Sequence, residues 1–191
     1  RNRKMIDFYL NYCRTIFKRY KGLVKYWLTF NEINMLLEAP FMGAGICFEE
    51  GENEKQIKYQ AAHHELIASA MATRIAHDIN SENKVGCMFA AGSVYPYTCK
   101  PEDVWEATKK DRESYFFIDV QSRGYYPSYA LKEFERMGIN IEKEEFDDEI
   151  LKNKRVDFIS FSYYNSRCAA KTVSKDNIAE GNIFESVKNP Y

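Results

Sequence analysis

A polar pair, Asn31-Glu32, directly follows an aromatic and β-branched run in this 191-residue chain. Residues 24–30 read Val-Lys-Tyr-Trp-Leu-Thr-Phe, a composition that is typical of a short buried strand. A carboxylate at the end of a strand is a candidate acid. If this strand belongs to a barrel of alternating strands and helices, its carboxyl end opens onto the face where catalytic residues collect. The Asn31-Glu32 pair is therefore the first candidate for chemistry.

The cysteines and histidines lack the spacing of a known site. The five cysteines are odd in number and far apart, and no Cys-x-x-Cys pair is present to hold zinc or exchange disulfides. Glu65 follows His64, but no histidine completes a His-Glu-x-x-His motif, so we interpret His63, His64 and His77 as packing or hydrogen-bonding residues. No glycine-rich nucleotide motif follows a strand. We expect neither a metal nor a cofactor.

The composition limits the partners of the chain. Its 27 basic and 28 acidic residues give a formal net charge of −1, so no excess positive charge attracts nucleic acid. No apolar run approaches the roughly 20 residues that cross a bilayer. The first residues also lack the apolar region of a signal peptide. We therefore expect a cytoplasmic protein that binds neither nucleic acid nor membrane.

The apolar spacing predicts the elements that would position the Asn31-Glu32 pair. Apolar steps of three and four predict helices, and short continuous apolar runs predict strands covered on both faces. The predicted order is helix 5–20, strand 25–30, helix 52–79, strand 84–91, helix 100–124, helix 129–137, a partly helical connector 142–154 and strand 156–164. This alternation indicates an α/β fold with a parallel sheet and right-handed crossovers.

The remaining stretches add no second unit to this prediction. The acidic run 142–149 is interpreted as a solvated face without a role, and residues 171–191 show no clear pattern. No linker or fixed repeat divides the chain. Residues 1–191 are therefore predicted to form a single domain.

Residues 27–32 read Trp-Leu-Thr-Phe-Asn-Glu and resemble the Thr-Phe-Asn-Glu signature of glycoside hydrolase family 1. The order of the elements is similar to the fourth to sixth units of that family's barrel, over nearly the whole chain. Ile33-Asn34 and residues 158–164 resemble the bacterial 6-phospho-β-glucosidase branch. A complete (β/α)8 barrel needs at least about 200 residues. The resemblance therefore implies a partial TIM barrel with about three parallel core strands.

The resemblance also implies roles for individual residues. Retaining glycosidases use two carboxyl groups about 5–5.5 Å apart, one to protonate the leaving oxygen and one to attack the anomeric carbon. Glu32 would be the general acid/base, and Asn31 would hydrogen-bond the 2-hydroxyl of the sugar. Tyr164 would orient the nucleophile, with Tyr163 as the alternative, and Ser162 stands where many relatives carry Asn. The simpler alternatives are a solvated carboxylate, a turn cap and ordinary aromatic packing.

The second catalytic carboxylate has no counterpart in the sequence. The family's nucleophile lies in a Glu-Asn-Gly motif, and this chain contains neither that motif nor the loop that would hold a 6-phosphate. We expect a segment of an enzyme that hydrolyses 6-phospho-β-glucosides, inactive by itself. A segment of a β-glucosidase for unphosphorylated substrates and a non-catalytic carbohydrate-binding or assembly module remain as alternatives. The exposed sheet edges and apolar inner face of a partial barrel predict a homo-oligomer.

Overall fold

The computed structural model describes residues 1–174, 177, 178 and 187–189. The strands of this part of the chain are β1 (Tyr26–Leu28), β2 (Lys84–Ala91), β3 (Val94–Pro96), β4 (Phe158–Tyr163) and β5 (Arg167–Ala169). Strands β1, β2 and β4 form a parallel sheet in that order, and β3 pairs in parallel with β5. The predicted α/β fold with three parallel core strands is confirmed.

Helices cover one face of this sheet at β1 and β2. In chain order the described helices are α1 (Met5–Arg19), α2 (Met35–Glu38), α3 (Pro40–Ala44), α4 (Glu54–Ile79), α5 (Pro101–Arg123), α6 (Ser128–Met137) and α7 (Asp147–Asn153). The predicted long helices are confirmed, whereas the short α2 and α3 and the strands β3 and β5 were not predicted. None of the helices in the described residues combines the length and apolarity needed to cross a membrane.

The predicted boundaries hold where a local signal marks them. Helix α5 ends at Gly124, whose φ of +81° belongs to the left-handed region that glycine adopts freely. Strand β2 occupies residues 84–91, as predicted. Strand β1 ends at Leu28 instead of residue 30. Of the tail without a clear pattern, residues 175, 176, 179–186, 190 and 191 lie outside the described residues.

The two faces of the sheet differ in how much of each is covered by other elements. In strand β1, Trp27 faces the helices and its ring packs edge-on against Phe17 of α1, with 4.8 Å between the ring centroids. Its register partner Val85 is fully buried. On the opposite, inner face Tyr26 and Leu28 are 67% and 50% exposed. Because side chains alternate along a strand, the inner face is the open one at β1, whereas at β4 the exposed side chains lie on the outer face.

Gly86 in the central strand lets the two outer strands touch across the inner face. A Cβ atom at this position would collide with the ring of Phe158. That ring lies over Gly86 and reaches Tyr26 of β1, with 6.0 Å between the ring centroids. The missing side chain therefore makes room for an aromatic contact that joins β1 to β4.

The interpretation of residues 142–149 as a solvated face is wrong for Asp147. Its side chain is buried and accepts hydrogen bonds from Arg3 Nη1 at 2.9 Å, His63 Nε2 at 2.8 Å and the Glu144 N–H at 2.9 Å. Burial by itself would raise the pKa of Asp147, but the bonds from Arg3 and His63 lower it below the usual range. Asp147 is therefore an ionised residue that ties α7 to α4 and to the start of the chain.

The ring of His63 makes both of its hydrogen bonds in the neutral form. A carboxylate only accepts, so Nε2 donates to Asp147, and Nδ1 accepts from the hydroxyl of Tyr126 at 2.8 Å. Burial lowers the pKa of His63, against the opposing effect of Asp147. The prediction that the histidines are hydrogen-bonding residues is confirmed, since His77 also bonds Asp157 at 2.8 Å.

Candidate active site

Glu32 lies in the turn that follows β1, at the carboxyl end of the sheet. It is half-buried, and its φ of +47° is the one positive φ of a non-glycine residue among those described. A left-handed conformation costs an L-residue with a Cβ about 1–2 kcal/mol. Such a residue persists only where its surroundings hold it, and these positions cluster at functional sites. The backbone of Glu32 thus supports the choice of this residue.

The backbone before Glu32 is held by two hydroxyl groups of the helical layer. Tyr9 of α1 donates to the carbonyl oxygen of Thr29 at 2.5 Å. The hydroxyls of Thr29 and Ser69 of α4 lie 2.9 Å apart. Burial raises the pKa of Tyr9, so its hydroxyl stays neutral and continues to donate. The ring of Tyr9 also stacks on Phe30, with 4.7 Å between the centroids. This end of the turn is therefore fixed to α1 and α4.

The backbone after Glu32 is held by strand β2. The Glu32 N–H donates to the Met88 sulfur at 3.2 Å, and the Ile33 N–H donates to the Met88 carbonyl at 3.2 Å. The buried carboxamide of Asn34 bonds both backbone groups of Ala90. Sequence reasoning missed the roles of Met88 and Asn34. The available signal was a polar Asn inside the apolar stretch Ile-Asn-Met-Leu-Leu.

Two of the predicted site residues meet across the sheet. The hydroxyl of Tyr164, which follows β4, donates to Oε1 of Glu32 at 2.6 Å. Strand β2 lies between their two strands, so the contact spans the carboxyl edge of the sheet. A short O–H to carboxylate bond is of the strong, charge-assisted kind. The structure therefore brings Tyr164 to the candidate acid itself.

The other predicted residues are not brought into this contact. Tyr163 is in register with Ala91 and, by strand alternation, points to the same outer face as Phe161, away from Tyr164. Asn31 is exposed, adjacent to Glu32 along the chain. Ser162 points to the inner face, where its hydroxyl lies 4.0 Å from the Met88 sulfur. Of the two tyrosines, Tyr164 is the one that bonds Glu32. The predicted role of orienting the nucleophile concerns a carboxylate without a counterpart in this sequence, and it stays a prediction.

The arrangement suits proton transfer and lacks the ligands of a metal site. A half-buried carboxyl group that accepts from a neutral hydroxyl is able to give a proton and take one back. Within the described ranges, no group of three or more His, Cys, Asp or Glu side chains is placed to hold a metal ion. The predicted acid/base role of Glu32 stays a prediction at this point.

Comparison with known proteins identifies the family. The model of glycosyl hydrolase family 1 matches residues 1–191. The chain belongs to glycosyl hydrolase family 1. It is 60% identical to the 6-phospho-beta-glucosidase AscB of Escherichia coli (strain K12) and 51% identical to the aryl-phospho-beta-D-glucosidase BglH of Bacillus subtilis (strain 168). Both matches cover 100% of this chain, but only 40% and 41% of those proteins.

Solved structures of the family show the same architecture. The β-glucosidase of Exiguobacterium antarcticum B7 superposes with a TM-score of 0.75 at 19% identity, covering 100% of this chain and 42% of that one. At this identity the likeness concerns the fold alone. The chain is a partial TIM barrel that spans about 40% of the length of the curated relatives it matches.

Proposed function

We propose that this chain is the part of a retaining 6-phospho-β-glucosidase that supplies the proton donor, Glu32. The observation that carries the proposal is the 2.6 Å bond from Tyr164 to Glu32, because it joins two residues of the expected active site across the carboxyl edge of the sheet. The carboxyl edge is where TIM-barrel enzymes build their sites. The similarity to 6-phospho-β-glucosidases over the whole chain supports the same reaction.

In this proposal Glu32 acts twice. Protonated Glu32 donates to the glycosidic oxygen while a second carboxylate attacks the anomeric carbon, and the leaving alcohol departs. The carboxylate of Glu32 then takes a proton from water, whose oxygen displaces the enzyme from the sugar. Tyr164 donates its hydroxyl bond to Glu32 while the carboxylate is charged. Asn31, beside Glu32, hydrogen-bonds the 2-hydroxyl of the sugar.

We expect no turnover by these residues alone, because the second catalytic carboxylate has no counterpart among them. The sequence contains no Glu-Asn-Gly motif, in which the family carries its nucleophile. Proton donation without a nucleophile does not give the glycosyl-enzyme intermediate of a retaining enzyme. We propose that Glu32 works only in an assembled barrel that contributes this carboxylate.

The substrate class rests on resemblance. The two relatives named above are phospho-glucosidases by name, and they favour a 6-phosphorylated β-glucoside over an unphosphorylated one. A charged sugar phosphate does not enter an apolar bilayer readily, so this substrate fits a cytoplasmic enzyme. The competing view of a non-catalytic carbohydrate-binding module is disfavoured because it gives no reason for a strained Glu at the site.

A chimera tests the proposed role of Glu32. The whole chain replaces the matching segment of E. coli AscB, and hydrolysis of 4-nitrophenyl 6-phospho-β-glucoside is followed by absorbance. We expect the chimera to turn over and the isolated chain not to. In the chimera, Glu32→Gln should lower kcat/KM by about 10²- to 10⁴-fold, since general acid catalysis has this magnitude. Glu82→Gln, at the opposite end of the sheet, is the control and should change nothing.

The tyrosines provide a second test in the chimera. Tyr164→Phe removes one hydrogen bond to a charged group, which is expected to lower kcat about tenfold. Tyr163→Phe removes a hydroxyl that points to the outer face, and its kcat should stay within about twofold of the unmutated chimera. Equal losses in the two variants would contradict the assignment of Tyr164.

A comparison of substrates tests the substrate class. We expect the natural enzyme that carries this segment to prefer 4-nitrophenyl 6-phospho-β-glucoside over the same glucoside without phosphate. The measurement is kcat/KM for both compounds. A preference for the unphosphorylated glucoside would move the segment to the plain β-glucosidases while leaving the role of Glu32 intact.

We also propose that the isolated chain self-associates. Ile159, Phe161 and Tyr163 of β4 are 50%, 62% and 57% exposed on the outer face of the sheet, and Tyr26 and Leu28 are exposed on its inner face. Contiguous apolar surface and an open sheet edge favour pairing with a second copy. Light scattering over a range of concentrations is the measurement, and a monomer at every concentration would overturn this proposal.

A further inference from the structure

Asn34 makes a pair of hydrogen bonds that no catalytic role assigned above uses. Its side chain is 3% exposed. Nδ2 donates to the carbonyl oxygen of Ala90 at 3.0 Å, and Oδ1 accepts from the Ala90 N–H at 2.8 Å. Nδ2 also lies 3.5 Å from the hydroxyl of Ser114 in α5. The carboxamide therefore gives Ala90 both the donor and the acceptor that its backbone would otherwise receive from a neighbouring strand.

These bonds continue the sheet beyond the end of β1. Strand β1 stops opposite Gly86, so the backbone of β2 further along would have no strand partner on that side. The Ile33 N–H fills the position at Met88, and the Asn34 side chain fills the position at Ala90. The chain on the far side of the catalytic turn is thereby fastened to β2 at alternate residues.

The usual role of an Asn before a helix does not apply here. An Asn at this position commonly caps the helix by accepting from its first N–H groups. Asn34 precedes α2, yet its side chain makes no capping hydrogen bond and its own backbone is helical, with φ −71° and ψ −14°. The carboxamide is directed to β2 and α5 instead. Its function is therefore to join the turn to the sheet.

The anchored turn holds Glu32 in its strained conformation. Thr29 is fixed on one side of the turn by Tyr9 and Ser69, and Asn34 is fixed on the other side by β2. The φ of +47° at Glu32 is maintained between these two anchors. Without the Asn34 carboxamide, the downstream side would be held only by the bonds of the Glu32 and Ile33 N–H groups to Met88. We expect this weaker anchor to let the turn relax toward an unstrained φ and the carboxyl group shift away from Tyr164.

We infer that Asn34 is a positioning residue for proton donation by Glu32, an inference that rests on the proposed function. Displacement of a catalytic group by about 1 Å costs about 10²-fold in rate. The loss should fall on substrates that need the proton and spare those that do not. A loss of activity confined to substrates that need the proton distinguishes a positioning role of Asn34 from a general contribution to folding.

The experiment uses the AscB chimera with two leaving groups. Phenyl 6-phospho-β-glucoside has a basic leaving group that needs protonation, whereas 2,4-dinitrophenol departs without it. We expect Asn34→Ala to lower kcat/KM about tenfold or more for the phenyl compound and less than about threefold for the dinitrophenyl compound. With the dinitrophenyl compound, hydrolysis of the glycosyl-enzyme limits kcat, so azide, which attacks that intermediate without base assistance, should restore part of any kcat lost there.

Asn83 provides a matched control at the other end of β2. Its carboxamide is equally buried, donates to the Ala76 carbonyl at 2.8 Å and accepts from the Trp27 ring N–H at 3.3 Å. Asn83→Ala removes a buried carboxamide that has no link to Glu32. We expect it to lower the unfolding temperature and to reduce kcat/KM for both substrates by the same factor.

A second variant covers the case in which Asn34→Ala fails to fold. Asn34→Asp keeps the size of the side chain but replaces the donor to the Ala90 carbonyl by an acceptor, and it should show the same selective loss. Equal losses on the two substrates, for either Asn34 variant, would overturn the inference. Glu32→Gln is measured alongside. If it leaves phenyl hydrolysis intact, the proposed function fails, and the role of Asn34 fails with it.

Discussion

The helical layer and strand β4 differ in which kind of side chain they bury and which kind they expose. In the helical layer, His63 and Asp147 are 0% and 1% exposed; they bond each other, and they also bond Tyr126 and Arg3 respectively. On β4, the apolar Ile159 and Phe161 are 50% and 62% exposed. The polar side chains of His63 and Asp147 are thus buried and paired, whereas the large apolar side chains of Ile159 and Phe161 face water.

This difference shows which interactions the segment makes by itself, and which apolar side chains it leaves uncovered. A buried charge without a partner costs several kcal/mol, so its partners must be present wherever it folds. An apolar side chain in water costs about 25 cal/mol per Å² of exposed surface, and this smaller cost can be removed later by a covering element. At His63 and Asp147 the segment thus supplies its own polar partners, whereas the apolar side chains of β4 remain without cover.

The largest expected effect comes from breaking the polar side of this comparison. Asp147→Ala leaves Arg3 and His63 without their shared acceptor, and we expect a loss of about 3–5 kcal/mol in the free energy of unfolding. Asp148→Ala next to it removes an exposed carboxylate paired with Lys143, and should cost less than about 0.5 kcal/mol. Urea unfolding followed by circular dichroism gives both values. Similar losses for the two variants would mean that Asp147 is not a buried anchor.

A pair of register partners tests the apolar side. Phe89 and Phe161 face each other on β2 and β4, but Phe89 is 6% exposed and Phe161 is 62% exposed. Phe89→Ala should cost about 3 kcal/mol or more, as for other buried aromatic truncations. Phe161→Ala should cost less than about 1 kcal/mol, since surface changes are small.

Self-association should respond in the opposite order. Phe161→Ala removes exposed apolar area and is expected to lower the apparent mass in light scattering, while Phe89→Ala should not lower it. If Phe161→Ala destabilised the chain as strongly as Phe89→Ala, the outer face of β4 would have to be covered in solution. The contrast between the two regions would then be lost.

Over a small change in pH, the smallest effect is a pH dependence of the polar network. Burial lowers the pKa of His63, and it lowers the pKa of His64 to about 4. Below the unfolded value of about 6.5 the unfolded chain binds protons that the folded chain rejects, so stability is lost as the pH falls from about 6.5 toward 4. The slope from each histidine is at most about 1.4 kcal/mol per pH unit.

Glu65 changes stability in the opposite sense. Burial raises its pKa to about 8, so between pH 4.5 and 8 the folded chain holds a proton that the unfolded chain releases. Stability is therefore lost as the pH rises through this range. Urea unfolding of the Glu65→Gln variant should isolate the loss of stability at low pH that is due to the histidines. A slope that survives His63→Gln and His64→Gln together would contradict this assignment.

The sequence predicts those features whose signals are local. The strand at 84–91 and the helix end at Gly124 follow from apolar runs and from a glycine at a left-handed position. Glu32 was found because the motif around it is contiguous. The bond from Tyr164 to Glu32 joins positions 132 residues apart, and no periodicity encodes it.

Asp147 shows why the acidic run was misread. Six acidic side chains among the eight residues 142–149 give the segment the local composition of a solvated surface. The partners that bury Asp147, Arg3 and His63, lie 144 and 84 residues away. Asn34 was overlooked for the same reason, because its partner Ala90 lies 56 residues along the chain. Tertiary contacts of this kind override the local signal.

The left-handed backbone at Glu32 sets activity against stability at one position. Asn and Gly adopt this conformation more readily than Glu, so either would relieve strain there while removing the acid. If the proposed function holds, selection for turnover is what retains Glu at this position. In a duplicated copy released from that selection, position 32 should be among the first to be substituted. The substitution should leave a barrel segment that is more stable and catalytically inactive.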